Sequence, residues 1–362
     1  MPDALIRRLT TLFKNEGFQL IDPPILQPVA PFMALSGEDV RQRMYLTRDP
    51  EGREFCLRPD FTIPTARQHV AAPDGGRYAY LGPVFRHRPQ KNGSGQDEPG
   101  EFVQGGIEWF GEADTAKADA TILKLALDIT ATAHVHRATV RVGDIGLQSA
   151  FLDSLGLADV WRRRLWQHQG RGGDLAAVFA TNGTDTASFP ALATLMTSGD
   201  AETAASVIED VLKLAGTETV GGRGPQEIAQ RFVEKALASS GVSDEQQAAI
   251  TSFMAISAPL SEAMSLLEAE FPTLDLTLAK RRMDEMAAMG LDLSTVQFDA
   301  GFTRPLDYHN GFVFEVVAPR SGEKLIGGGR YDALTERLGA SAEPAVGLSL
   351  WLDRLIAAGG AT

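Results

Sequence analysis

The amino-acid sequence predicts an α+β fold in which an antiparallel sheet is flanked by helices and carries a mostly helical insertion. Two hairpins indicate the sheet: strand-like residues flank the turn RDPEG within residues 44–58, and a second pair of strands is predicted within residues 311–326. Apolar residues at helical spacing dominate residues 146–291 instead. We therefore expect a core formed by residues 1–145 and 292–362, with the insertion between these two parts.

The N-terminal stretch predicts one helix of about 13 residues. Leu5, Leu9 and Leu12 recur at helical spacing, Asp3 is a suitable N-cap, and Gly17 is a suitable stop. The proline-rich sequence DPPILQPVAP follows, and it cannot form the interior of a helix. An extended segment leading into the first hairpin is therefore expected.

The sequence LRPDFTIPTAR after the first hairpin combines a carboxylate and a hydroxyl at the start of a possible helix. Asp60 and Thr62 fit a helix-capping pair, and they equally fit a pair of ligand-binding side chains. The residues alone leave both interpretations open.

Residues 80–111 predict two strands joined by a loop. Alternation along the second strand places Gln104, Gly106 and Glu108 on one face, as a shared pocket would require. A helix is predicted over residues 115–135 and a strand over residues 138–144.

Residues 298–332 predict the second hairpin and a run of glycines at its end. Gly327, Gly328 and Gly329 allow close approach of the backbone, and Arg330 adds a fixed positive charge directly after them. Pro305 favours an extended backbone at Arg304. A nucleotide-binding loop of the Walker type is excluded because no Gly-Lys-Ser/Thr follows the glycines. A plain hairpin with solvated charges remains the simple alternative.

The amino-acid composition limits the classes of function that this chain can have. Of 362 residues, 34 are Lys or Arg and 47 are Asp or Glu, which gives a net charge of −13 and disfavours a large nucleic-acid footprint. Cys56 is the single cysteine, so an internal disulfide is excluded. Neither a long apolar run nor a signal-peptide core occurs, and we expect a soluble cytoplasmic protein.

Several catalytic and metal-binding patterns are missing from the sequence. The six histidines form no HExxH or Cys/His spacing, and no Gly-x-Ser-x-Gly motif occurs. We therefore expect no metal, no cofactor and no nucleophilic hydrolysis.

Two segments around the second hairpin resemble the signature segments of histidyl-tRNA synthetases, which are class II aminoacyl-tRNA synthetases. They read LDYHNGFVFE and IGGGRYDAL, in the family's order. The resemblance implies a class II aminoacyl-tRNA synthetase-like fold with an amino-acid pocket. It assigns Tyr308 and His309 to the ligand's imidazole and the three glycines to the pocket floor. His309 stands where the family has tyrosine.

Three further stretches resemble class II motifs, and their residue roles are implied by that resemblance. The LRPDFT stretch implies that Asp60 and Thr62 hold the ligand's ammonium group, although Asp60 is one methylene shorter than the family's glutamate. Residues 80–111 imply Glu108 for the imidazole N–H, and the carboxylate side is assigned to Arg86, Gln104 and Arg304. The proline-rich segment implies a homodimer. AEPAVGLSLWLDRL implies that Arg354, together with Arg86, belongs to a vestigial ATP site.

The chain departs from the synthetase pattern at the ATP side. The family's glutamate after the motif arginine is missing from Phe85-Arg86-His87-Arg88. The following loop carries the acidic residues Asp97, Glu98 and Glu101, whose negative charges oppose phosphate binding. The positive charges of Arg88 and Lys91 offset this repulsion only in part. Only eight residues follow Arg354, so no anticodon-binding domain is expected.

This combination is similar to the family of ATP phosphoribosyltransferase regulatory subunits. That resemblance implies a non-catalytic subunit that assembles with the short-form catalytic subunit in the first step of histidine biosynthesis and takes part in feedback inhibition by histidine. Two alternatives stay open: an enzyme that still adenylates histidine, which the three arginines Arg86, Arg304 and Arg354 favour, and a synthetase-like RNA-sensing module. The charge and the missing domain argue against tRNA charging.

Overall fold

The computed structural model describes most of the chain, namely residues 2–36, 38–87, 100–157, 161, 162, 164, 165, 175–180, 206, 210, 242–304 and 308–359. Two compact units are found. The first comprises residues 1–148 and 255–362, and the second comprises residues 149–254.

The first unit is built on a large sheet. Its nine described strands lie in the spatial order Gln19–Leu20, Arg77–Phe85, Glu101–Phe110, Ala345–Trp351, Lys324–Arg330, Phe312–Val317, Thr139–Asp144, Val296–Asp299 and Ser257–Pro259. The central pairs are antiparallel, as the sequence predicts. Two pairs towards the ends are parallel, which the sequence did not indicate; they join strand 19–20 to strand 77–85 and strand 139–144 to strand 296–299.

A second, three-stranded sheet contains the first predicted hairpin. Strands Leu46–Arg48 and Glu54–Leu57 pair antiparallel, and Leu26–Pro28 pairs on the other edge of the second of these. Gly52 adopts a positive φ of 82° in the turn, where a residue without Cβ is favoured. The hairpin prediction is therefore confirmed.

Helices flank the large sheet. The N-terminal helix spans Pro2–Asn15 and buries Leu5 and Leu9; because it begins at Pro2, Asp3 lies in its first turn and is not the predicted N-cap. The other helices of this unit, including one that continues into the second unit, are Val29–Leu35, Glu38–Arg41, Thr62–Ala71, Thr115–Thr132, Ile145–Ser154, Leu260–Glu270, Thr277–Ala288, Leu334–Arg337 and Leu352–Gly359.

A buried ion-pair network joins two of these helices to the sheet. Asp119 of helix 115–132 is fully buried and accepts hydrogen bonds from Arg282 Nε at 2.8 Å and from Arg330 Nη2 at 2.7 Å. Arg282 also donates to Asp144 at 2.7 Å, and Arg330 also donates to Asp332 at 2.7 Å. Each buried charge thus has an opposite charge in contact, which is the condition for tolerating charges in a core.

The second unit is described only in part. Its described helices include Leu175–Ala180 and Asp244–Met254, and the rings of Phe151 and Phe253 stack with centroids 4.2 Å apart. Of the helix that the sequence predicts near residues 199–215, only residues 206 and 210 are described, and both are helical; the helix predicted near residues 225–240 lies outside the described residues. Helices 260–270 and 277–288 belong to the first unit, whereas the sequence boundary grouped them with residues 146–291. That residues 146–291 form one insertion stays a prediction.

Candidate functional site

The candidate site lies on one face of the large sheet, above its central strands. The strand register sets Gly347 opposite both Glu108 and Gly329, and Ser349 opposite both Gly106 and Gly327. Paired residues point to the same face, so small residues line this part of the sheet. A Cβ at Gly347 would lie 2.6 Å from the carbonyl oxygen of Ile107, so glycine is required there. Because these glycines have no side chains, they leave space above the sheet, and the larger polar side chains on this face converge in that space.

Glu108 is the centre of these polar groups. Its Oε1 accepts hydrogen bonds from Thr62 Oγ1 at 2.7 Å and from the Tyr80 hydroxyl at 3.0 Å, and its Oε2 accepts one from the Tyr331 hydroxyl. Burial raises the pKa of Glu108 to about 7, against the opposing effect of these three hydroxyl donors, and Asp60 raises it further. A carboxyl with such a pKa can both accept and donate a proton near neutral pH.

Asp60 and Gln104 present unpaired acceptor atoms in the same region. Asp60 Oδ1 accepts from the backbone N–H of Ile63 at 3.4 Å, whereas Oδ2 is buried and has no hydrogen-bond partner among the described residues. Gln104 Oε1 is likewise buried and unpaired within that part of the chain. Burial is the largest effect on Asp60 and raises its pKa, more than Arg86 lowers it. Unpaired buried acceptors are costly, and a bound donor would satisfy them.

Arg304 supplies a buried positive charge on the same face. Its guanidinium covers Gly327, where a Cβ would lie 2.6 Å from Nη2, and its Nε has no partner among the described residues. Burial lowers the pKa of Arg304, and the nearby Arg86 lowers it further. Arg86 is half-buried and donates from Nε to the carbonyl of Pro59 at 2.6 Å. A region with two guanidinium groups is suited to an anion.

Tyr308 and His309 lie over the glycines. Their rings lie 4.8 Å apart, both contact the ring of Tyr331, and His309 Cδ2 lies 2.8 Å from a Cβ built at Gly329. Burial raises the pKa of Tyr308, and the carboxylates of Asp60 and Glu108 add to that effect. Gly328 faces the other side of the sheet, where a Cβ would meet the ring of Phe314.

The arrangement combines unpaired acceptors, a buried guanidinium and a titratable carboxyl under aromatic rings. Comparison with known proteins decides how the chain is classified. A family model described as "Histidyl-tRNA synthetase" matches residues 2–221 and 226–355. A relative from Mesorhizobium japonicum, named ATP phosphoribosyltransferase regulatory subunit, is 38% identical, with 97% of this chain and 96% of that protein covered. The chain belongs to the ATP phosphoribosyltransferase regulatory subunit family.

A further relative supports this family, and two solved structures share the fold. A protein of the same name from Chelativorans sp. is 39% identical, covering 95% of this chain and 94% of its own. A structure from Bacillus halodurans, titled ATP phosphoribosyltransferase regulatory subunit/histidyl-tRNA synthetase, has a TM-score of 0.65 at 20% identity, covering 99% of this chain and 79% of that chain. Histidyl-tRNA synthetase from Nostoc sp. has a TM-score of 0.63 at 17% identity, with coverages of 98% and 70%. These two structures show the fold, and the predicted class II synthetase-like fold is confirmed.

Most residues that the family resemblance singled out lie together. The structure brings Asp60, Thr62, Gln104, Glu108, Arg304, Tyr308 and His309 to one region of the sheet, with Gly327 and Gly329 beneath them. Gly328 is a correction, since its open side faces Phe314 and not these residues. The roles of the others in ligand binding stay predictions.

The structure describes only some of the residues that were predicted to lie at the vestigial ATP site. Arg354 donates to the carbonyl oxygen of Lys324 at 3.0 Å and packs 5.2 Å from the centre of the Trp351 ring. Arg88, Lys91, Asp97 and Glu98 lie outside the described residues, and so does the predicted segment 305–307. The vestigial ATP site stays a prediction.

Two tyrosines that sequence reasoning missed complete the site. Tyr80 and Tyr331 both donate to Glu108. Alternation could have found Tyr80, which pairs with Gly106 on the same face, and Tyr331 lies two residues after the last of the three glycines. Arg330, whose charge the sequence places directly after the glycines, is bound by Asp119 and Asp332.

Within the described part of the chain, no group of three or more His, Cys, Asp or Glu side chains is arranged to hold a metal ion. A search of the same residues finds no helix that is both long and apolar enough to span a membrane.

The pKa of Glu108 predicts that stability falls as the pH rises. Its pKa is about 7 in the folded chain against 4.5 for the free side chain, so the folded state binds more protons between these values. The contribution is complete below pH 4.5 and is lost as the pH rises through 7. It amounts to roughly 3 kcal/mol. In Glu108→Gln we expect that loss to disappear from urea unfolding measured between pH 5 and pH 8.

The control for this experiment is Glu268→Gln, which alters an exposed ion pair with Lys280. It should keep the pH dependence of the wild type. An unchanged pH slope in Glu108→Gln would contradict the assignment, because the amide cannot titrate.

Proposed function

We propose that this chain is a non-catalytic regulatory subunit that assembles with the short-form ATP phosphoribosyltransferase catalytic subunit and supports its activity in the first step of histidine biosynthesis. The observation that carries this proposal is the 38% identity, over 97% of the chain, to a relative named as that regulatory subunit. The matched region extends over nearly the full length of both proteins, so it spans the site as well as the scaffold.

The site supports histidine as the regulatory ligand. An amino-acid zwitterion offers an ammonium group to the oxygens of Asp60 and Gln104 that have no partner among the described residues, and a carboxylate to Arg304. The resemblance implies the carboxylate side for Gln104, but its free atom is an acceptor, which suits the ammonium group. An imidazole N–H of the ligand can reach the titratable carboxyl of Glu108, next to the tyrosines. Feedback then requires that histidine has different affinities for the active and inhibited assemblies.

Self-association is part of the proposal. Several large apolar side chains are exposed on and beside the three-stranded sheet, in the segment that resembles the first class II motif; they are Ile25, Leu26, Met33, Tyr45 and Leu46. Exposed apolar side chains that lie close together in sequence favour a protein interface over bulk solvent. We propose that this surface meets a second copy of the chain.

The test is reconstitution with the catalytic subunit. Phosphoribosyl transfer from 5-phosphoribosyl 1-diphosphate to ATP should be weak with the catalytic subunit alone and should increase when this chain is added. Both proteins should also elute together in gel filtration. Full activity without this chain would overturn the proposal.

A second candidate function, adenylation of histidine, is favoured by the retention of Arg86, Arg304 and Arg354. Histidine-dependent exchange of pyrophosphate into ATP measures this reaction directly. We expect no exchange above a control without histidine, and exchange at a useful rate would replace the regulatory function by the catalytic one.

A further inference from the structure

A buried carboxylate stands next to Arg304 without pairing with it. Glu315 lies in register with Gly327 on one side and with Arg141 on the other, and Arg304 covers Gly327. Side chains at directly paired positions are about 4.5–5.5 Å apart at Cβ. A buried arginine beside a buried carboxylate would ordinarily form an ion pair, because an unpaired charge is costly in a core.

Two other cationic side chains form ion pairs with Glu315. Arg141 donates to Oε1 from Nη2 at 2.5 Å and from Nε at 3.1 Å, and Lys324 Nζ lies 2.8 Å from Oε2. Burial acts to raise the pKa of Glu315, but Lys324 and then Arg141 lower it below its ordinary value. Each carboxylate oxygen therefore already has a cation in contact. Glu315 raises the pKa of Arg304 through space, but Arg304 makes no ion pair with any described residue.

A β-bulge places Lys324 on the face of the sheet that carries Glu315, so that the two side chains can pair. Strand pairing proceeds from Val316 opposite Ile326 to Val317 opposite Lys324, so Leu325 is an extra residue without a partner. In a regular strand Lys324 would alternate onto the face opposite Gly327. The extra residue reverses the alternation and returns Lys324 to the face of Glu315.

We infer that Lys324 is a positioning residue, which holds Oε2 of Glu315 and thereby keeps the Arg304 guanidinium free for the carboxylate of an amino-acid ligand. This inference rests on the proposed function for the identity of the ligand. Without Lys324, Oε2 of Glu315 would lose its partner. Arg141 would stay on Oε1, and Arg304 would be the nearby cation that is not yet bound to Glu315, so an internal ion pair between Arg304 and Oε2 would replace the ligand's carboxylate.

Calorimetry with two ligands tests the inference. In Lys324→Met we expect the affinity for L-histidine to fall by about 10- to 100-fold, which corresponds to the loss of one charge-assisted contact. Histamine has no carboxylate, and its affinity should be unchanged. The conservative variant Lys324→Arg should bind L-histidine like the wild type, and the double variant Lys324→Met/Glu315→Gln should recover most of the lost affinity.

The matched control is Lys280→Met, which removes a lysine from an exposed pair with Glu268. It should bind both ligands like the wild type. Equal losses for L-histidine and histamine in Lys324→Met, or no recovery in the double variant, would overturn the positioning role.

A thermal unfolding cycle tests the same point without a ligand. In the wild type, Arg304→Met should leave the Tm unchanged or raise it, because the arginine is buried and has no ion pair among the described residues. In the Lys324→Met background the same change should lower the Tm, since it would break the new pair with Glu315. Additive shifts would overturn the inference. Failure of the wild type to bind L-histidine would instead overturn the proposed ligand, and the cycle would still decide on Lys324.

Discussion

Replacing Asp119 by alanine should lower the free energy of unfolding by about 3–5 kcal/mol. Asp119 is fully buried and accepts from two arginines, Arg282 and Arg330, which are themselves buried. Each arginine keeps one other carboxylate, Asp144 or Asp332, but loses the shared partner between them. The cost comes from two desolvated guanidinium groups brought together without the anion that separates them.

Urea unfolding measures this effect, and a second aspartate on the same helix supplies the control. Asp128 forms a half-exposed pair with Lys124 at 2.5 Å, so Asp128→Ala should cost less than about 1 kcal/mol. If Asp119→Ala lowers the free energy of unfolding by no more than the control variant does, the ion-pair network contributes little to stability and the arginines find other partners.

Replacing Asp60 by asparagine should weaken histidine binding by about 100- to 1000-fold, because a buried ammonium would lose its charged partner. The same change should leave the stability of the unliganded chain unchanged or raise it. Asp60 Oδ2 is buried without a partner among the described residues, and burial raises the pKa of Asp60, so the carboxylate is held at a cost when no ligand is present.

The ligand 3-(imidazol-4-yl)propionate separates this role from a general disturbance of the site, since it has the carboxylate and the imidazole but no ammonium group. Calorimetry should show a similar affinity of this ligand for Asp60→Asn and for the wild type. The exposed Asp74 gives the control variant Asp74→Asn, which should bind L-histidine normally. A loss of equal size for both ligands would contradict the assignment of Asp60 to the ammonium group.

Of the two interpretations of Asp60 and Thr62 that the sequence left open, the structure shows Asp60 at the start of a helix, and ligand binding by the pair stays a prediction. Asp60 uses one oxygen at the start of helix 62–71, where it accepts from Ile63 N, while Thr62 turns away from the backbone and donates to Glu108. The sequence could not separate the two interpretations, because carboxylate and hydroxyl oxygens can accept from the backbone at a helix start and can equally contact a ligand. The contact of Thr62 with Glu108, 46 residues later, is a tertiary contact that the local sequence does not indicate.

The sequence by itself determined the local features of this protein. The hairpins, the N-terminal helix and the shared face of Gln104 and Glu108 follow from turn residues and from periods of 3.6 and two residues, which act over a few positions. Its motifs also indicated the family that the relatives show.

The tertiary structure alone decided which charges are engaged and which stay available. Arg330 is bound by Asp119, Arg304 has no ion pair among the described residues, and Lys324 reaches Glu315 through a bulge. These outcomes depend on the register between strands and helices that are far apart in the chain. A shift of one residue in that register would send each side chain to the other face of the sheet.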